Sequence, residues 1–275
     1  MACGGKRAEE KVVMVTIEPQ RFFAEQIAGD RFVVRTVVPS GQSPETYDPT
    51  PRQMVEIGQS IAYLRIGAIG FEQAWMQKIA ENNPQLKLYD LSDNMPLLQE
   101  TEHEHSTHAH QHGGVDPHIW SSIEGARVIA WNTLQAFMEL DKEHTDYYWA
   151  NYNRLATRID SVETVLKQRL APVQGSAFII YHPALTYLAA EFGLHQLCIE
   201  MDGKEPSPAQ LEQLVEEAKA HRAQIVFVQQ EFDQKNARLI AQETGCRLVA
   251  INPLNYHWDK ELIHIADALS NGKTD

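Results

Sequence analysis

The sequence predicts an α/β protein: two βα lobes, each built on a parallel four-stranded sheet, joined by one long helix. Three observations predict it. Short apolar runs alternate with amphipathic stretches from Val12 to about Ser92. The same alternation resumes at Ala177 and runs to the C-terminal helix. Between them lies a stretch without glycine or proline that is longer than one small domain needs. Strands that alternate with helices pair in parallel and carry the helices on the sheet faces.

In the first lobe, VVMVTI (12–17) reads as a buried strand and Pro19 to Ala28 as a helix ended by Gly29. FVVRTVV (32–38), IAYLRIG (61–67) and LKLYDLS (86–92) are three further strands, with a helix from about Phe71 to Asn82. SPETYDPTP (43–51) reads as a Pro-rich loop that two prolines hold stiff, with Glu45 at its centre. Ser121, followed three residues later by Glu124, is a capping signature for a helix over 121–140. From His144 to Leu170, Tyr148, Tyr152, Leu155, Ile159, Val162, Leu166 and Leu170 recur on one helical face. At about 1.5 Å per residue this helix extends roughly 40 Å, as a strut between lobes.

In the second lobe, AFIIYH (177–182), HQLCIEM (195–201), IVFVQQ (225–230) and RLVAIN (247–252) are strands. Helices span 184–192, 208–221 and about 259–270, with another between the last two strands; Ser207 caps the second and Pro208 opens it. The division expected is residues 1–11 as a flexible tether, 12–141 as the first lobe, 142–171 as the linking helix and 172–275 as the second lobe.

The chain has 275 residues, a net charge of −13 and three cysteines. The acidic balance argues against nucleic acid as a partner and suits a cation. No apolar run is long enough to span a bilayer. Cys198 and Cys246 fall in or beside strands that a doubly wound sheet places on opposite sides of its first strand, so two buried thiols are expected rather than a bridge. Two readings are open for Cys3: MACGGKRAEE resembles the residues at a bacterial lipoprotein cleavage site, where the cysteine is acylated, or it is an incidental residue of a disordered terminus.

Open parallel sheets bind ligands outside the carboxyl ends of their strands. Glu45, His118, His182, Gln230, Glu231 and Asn252 all lie there. Two imidazoles, a carboxylate and a further oxygen donor suit a first-row divalent metal such as zinc or manganese. Each residue also has a purely structural reading; the shared position at strand ends favours a site. TEHEHSTHAHQHGG (101–114) adds five histidines, His103, His105, His108, His110 and His112, in a segment that cannot form a core element. Nitrogen donors at that density favour zinc, copper or nickel over manganese or calcium.

SPETYDPTP, GAIGFEQAW, DPHIW, IIYHPALTYLAAEFGL and EPSPAQLEQLVEEAK together resemble the substrate-binding proteins of zinc and manganese ABC transporters, the helical-backbone group of metal-binding lipoproteins. The resemblance runs from about Val12 to Leu269. It implies two βα lobes on a long helix, an ion held in the cleft between them, and delivery of that ion to a membrane permease with its ATPase. A His-rich loop implies zinc. A lipid anchor at Cys3 and a place in the cell envelope are also implied, and we expect a monomer.

The resemblance places ligands at His118 and His182, a histidine where this chain has Glu45, and an aspartate where it has Asn252. The two departures compensate: a carboxylate leaves the second lobe and another enters the first. Asn252 is a weak donor, so water, Glu231 or His257 could take its place. The leading function is capture of Zn²⁺ without chemical transformation. Manganese receptor, envelope zinc buffer or adhesin, and metal-dependent hydrolase are the alternatives; no HExxH or GxSxG occurs to support the last.

Overall fold

The computed structural model describes residues 10–99, 114–200, 206–232 and 234–271. The first half runs β1 (Val12–Val15), α1 (Glu18–Ala28), β2 (Val33–Thr36), α2 (Pro51–Gln59), β3 (Ala62–Arg65), α3 (Gly70–Asn82) and β4 (Lys87–Asp90). Next come α4 (Ile123–Leu140) and the long α5 (Thr145–Leu170). The second half runs β5 (Ala177–Ile180), α6 (Thr186–Phe192), β6 (His195–Cys198), α7 (Pro208–Ala220), β7 (Ile225–Gln229), α8 (Lys235–Thr244), β8 (Arg247–Ile251) and α9 (Trp258–Ser270). Both sheets are four-stranded and wholly parallel, ordered β2-β1-β3-β4 and β6-β5-β7-β8.

The two halves share one core. α5 buries Tyr148, Leu155, Ile159, Val162, Leu166 and Leu170, the face its periodicity predicts, while Tyr152 stays half-exposed. A single cluster of buried side chains runs from Val13 in β1 through Phe137 and Leu155 to Phe227 in β7 and Leu262 in α9. The opposite face of the second sheet has its own cluster around Ile179, Val226 and Ile240. α1 and α9 meet directly: the Trp258 ring lies 6.2 Å from Phe22 and 5.1 Å from Phe23. Tyr256 donates its hydroxyl to Glu25 at 2.6 Å, and Arg158 of α5 pairs with Asp259 at 2.7 Å.

Three details differ from the sequence reading. The Pro-rich segment is followed at once by α2, which the reading missed: Thr50 caps it, Pro51 opens it, and Gln53 closes a capping box. The cap of α4 is Ser122, which accepts from Gly125 N; Ser121 instead ends a 3-10 turn (Ile119–Ser121) and donates to His118 O. Most strands stop one or two residues before their apolar runs do. At β1, Thr16 and Ile17 leave the ladder because their amides donate to Gln20 Oε1 at 3.0 Å. Cys198 and Cys246 are buried free thiols on the two outer strands or beside them.

Candidate metal centre

The loops after β2, β4, β5 and β7 converge on a cavity of about 30 Å³ lined by Glu45, His118, His182 and Glu231 within an apolar wall that includes Trp120 and Phe232. Ligand atoms of Glu45, His118 and His182 all lie within 4.8 Å of one another, a grouping found nowhere else among the described residues.

His118 is buried just ahead of the 3-10 turn. Its backbone amide and its Nδ1 both meet Asp116 Oδ1 at 2.8 Å. Burial alone would raise the Asp116 carboxyl, but the adjacent His118 imidazole and the hydrogen bonds it accepts hold it below the usual carboxylate range. His182 follows β5. Its Nδ1 lies 2.9 Å from Glu200 Oε2, its ring stacks on Phe232, and Gln229 clamps its backbone from both sides.

A carboxylate only accepts hydrogen bonds, so both Nδ1 atoms carry a proton, and in the neutral rings that bind a metal both Nε2 atoms keep a lone pair. Those two Nε2 atoms stand 3.2 Å apart. Two lone pairs at that distance repel unless a proton or a metal cation lies between them. Tetrahedral zinc with Zn–N bonds of about 2.0–2.1 Å would hold its nitrogens about 3.3 Å apart. The imidazole pair therefore already has the spacing of a zinc site.

Glu45 is placed from the other side of the cleft. Its Oε2 accepts from Gly70 N, the first residue of α3, at 2.9 Å, so a helix N-terminus supports the negative charge. A Cβ on Gly70 would meet Glu45 O at 2.5 Å and Oε2 at 2.8 Å, so glycine is required for that approach. Glu45 Oε1 is buried and accepts no hydrogen bond. The turn that carries Gly70 is in turn fixed by Glu72, whose carboxylate accepts from Ile66 N and Gly67 N and from the Thr16 hydroxyl.

The other proposed donors stand differently. Asn252 is not in the cavity wall: its Oδ1 accepts from Leu254 N at 3.1 Å and its backbone N–H donates to Glu261. His257 is exposed at the start of α9, with its ring against Tyr256. Gln230 is exposed as well. Glu231 lines the cavity outside the group of three, with Oε1 buried and unpartnered. Cys3 and His103, His105, His108, His110 and His112 lie outside the described residues. Sequence reasoning missed the supporting residues Asp116, Glu200, Gln229 and Gly70. Asp116 two residues before His118 was the available signal; Glu200 follows the second strand of the other sheet and becomes visible only through the fold.

The sequence pattern of the ZnuA family, zinc-uptake complex component A, periplasmic, matches residues 13–266. The chain is 26% identical over 255 residues to the high-affinity zinc uptake system protein ZnuA of Bacillus subtilis, covering 88% of this chain and 78% of that protein. It is 23% identical over 232 residues to the manganese ABC transporter substrate-binding lipoprotein PsaA of Streptococcus anginosus, covering 82% of this chain and 74% of that one. A crystal structure of ZnuA superposes with a TM-score of 0.88 at 32% identity, covering 96% of this chain and 99% of that one. The chain belongs to the ZnuA family of metal-binding receptors.

Proposed function

We propose that this protein captures one Zn²⁺ ion outside the cytoplasm, between Glu45, His118 and His182, and delivers it to the permease of an ABC transporter. It performs no reaction. The observation that carries the proposal is the facing pair of imidazole Nε2 atoms, 3.2 Å apart, each oriented by a carboxylate on its Nδ1. Zinc accepts such a mixed nitrogen and oxygen set in a small, closed site. The supporting carboxylates fix the tautomer and orientation of both rings, and the apolar wall keeps water away from the ion.

The His-rich segment 101–114 collects zinc for the receptor, and acylated Cys3 tethers a monomeric receptor to the membrane. Calorimetry with and without residues 101–114 tests the division of labour. A receptor keeps one tight zinc site per chain after the deletion; a zinc buffer would lose most of its capacity. Manganese is the second reading, favoured by the Glu45 carboxylate in the group of three and by the manganese-binding relative. Elemental analysis of protein loaded from an equimolar mixture of zinc and manganese decides between them, with zinc expected in excess.

A further inference from the structure

The three grouped donors leave a four-coordinate ion one ligand short. Asn252 occupies the position where a second-lobe carboxylate was expected, but its carboxamide is committed to the turn that follows β8. Glu231 reaches the same cavity from the end of β7. We infer that Glu231 supplies the fourth donor, so that the ion is held by two imidazoles and two carboxylates. This rests on the reading of the cleft as a zinc site.

Two buried carboxylate oxygens in that cavity wall accept no hydrogen bond, Oε1 of Glu45 and Oε1 of Glu231. A buried acceptor left unsatisfied costs on the order of 1–3 kcal/mol, and more when it is charged. Two such oxygens, one from each half of the protein, belong to residues that line a cavity shared with His118 and His182. One divalent cation satisfies all four donors and cancels both negative charges. Among the described residues no other side chain in the cavity wall could add a fourth charged donor: the remaining hydrogen-bond acceptors are Ser43 and Gln229, and Gln229 is engaged with the His182 backbone.

The two carboxylates differ in how they are held. Glu45 is fixed across 25 residues of chain by Gly70 N. Glu231 takes its hydrogen bonds locally, from its own backbone amide and the Gln230 side chain. Its oxygens lie outside the 4.8 Å group, so it joins the ion by turning about its own side-chain bonds. Glu45, His118 and His182 form a prepared seat; Glu231 closes it after the ion arrives and opens it first on release.

Zinc calorimetry on the full chain and on Glu231→Gln and Asn252→Ala tests this, with Co²⁺ absorption as a second readout. Glu231→Gln should weaken zinc binding about tenfold or more, since altering even a supporting group costs that much. Its Co²⁺ bands should also shift, because an oxygen anion leaves the shell. Asn252→Ala should stay within about twofold of the parent. Glu231→Gln binding zinc like the parent with an unchanged Co²⁺ spectrum would overturn the inference, as would a larger loss in Asn252→Ala. A parent chain that binds no zinc would overturn the functional reading instead.

Discussion

Glu45 shows how much one side chain asks of its surroundings. It is held at Oε2 by Gly70 N and is unpartnered at Oε1, so its charge is positioned but not neutralised. Removing it takes the negative charge from the prepared seat and leaves two neutral rings. Glu45→Ala should therefore lower zinc affinity at least as much as His118→Ala, measured by calorimetry; binding equal to the parent would refute its role as a ligand. Gly70→Ala acts through the same residue, because its Cβ would displace the Glu45 backbone and carboxylate. We expect about a tenfold loss of zinc affinity, the scale of disturbed support in metal sites.

These residues differ in how legible they were. His118, His182 and Glu45 follow strands and sit in recognisable motifs, so their convergence could be argued before any coordinates. The choice among Asn252, Glu231 and His257 could not, because it depends on the turns after β7 and β8. Asn252 turns its oxygen back on Leu254 N, a local bond that composition does not reveal.

At the scale of elements, the alternating pattern gave the eight strands of the described residues and most of their helices, since apolar period is a long-range signal. α2 escaped because Pro49 and Pro51 read as loop, whereas Pro51 occupies the one helical turn that tolerates proline. The β3–α3 turn carries a further consequence. Burial pushes the Glu72 carboxyl up to about 7, despite the amides and hydroxyl that bond it. Its folded value thus lies above its unfolded one, so the native state holds the extra proton between about pH 4.5 and 7. The stability it contributes is present at the acid end of that window and lost as pH rises through it. Thermal unfolding of the metal-free protein should show the melting temperature falling from pH 5 to 7.5 by less in Glu72→Gln than in the parent. Equal slopes would show that Glu72 titrates normally.

At the scale of the molecule, α5 and the α1–α9 contact make the halves one packed body. The helix is 26 residues long, about 39 Å at about 1.5 Å per residue, and it packs on α1, α4 and α9. Bending it would break backbone hydrogen bonds, and hinging at α1–α9 would expose Phe22, Phe23 and Trp258. Zinc capture and release should therefore proceed through loops and side chains. Scattering profiles of metal-free and zinc-loaded protein should superpose, and a large change in radius would speak for hinge closure. Trp258→Ala should cost about 3–5 kcal/mol of stability in chemical unfolding, because it empties the seam between the halves.

The proposed function requires a single ion gripped across the cleft by imidazole nitrogens and carboxylate oxygens. Zinc-edge anomalous diffraction from loaded crystals tests it most directly. One strong peak is expected in the cavity, about 2.0–2.2 Å from the Nε2 atoms of His118 and His182 and from a Glu45 oxygen. A cleft without that peak, in protein that holds zinc elsewhere, would contradict it.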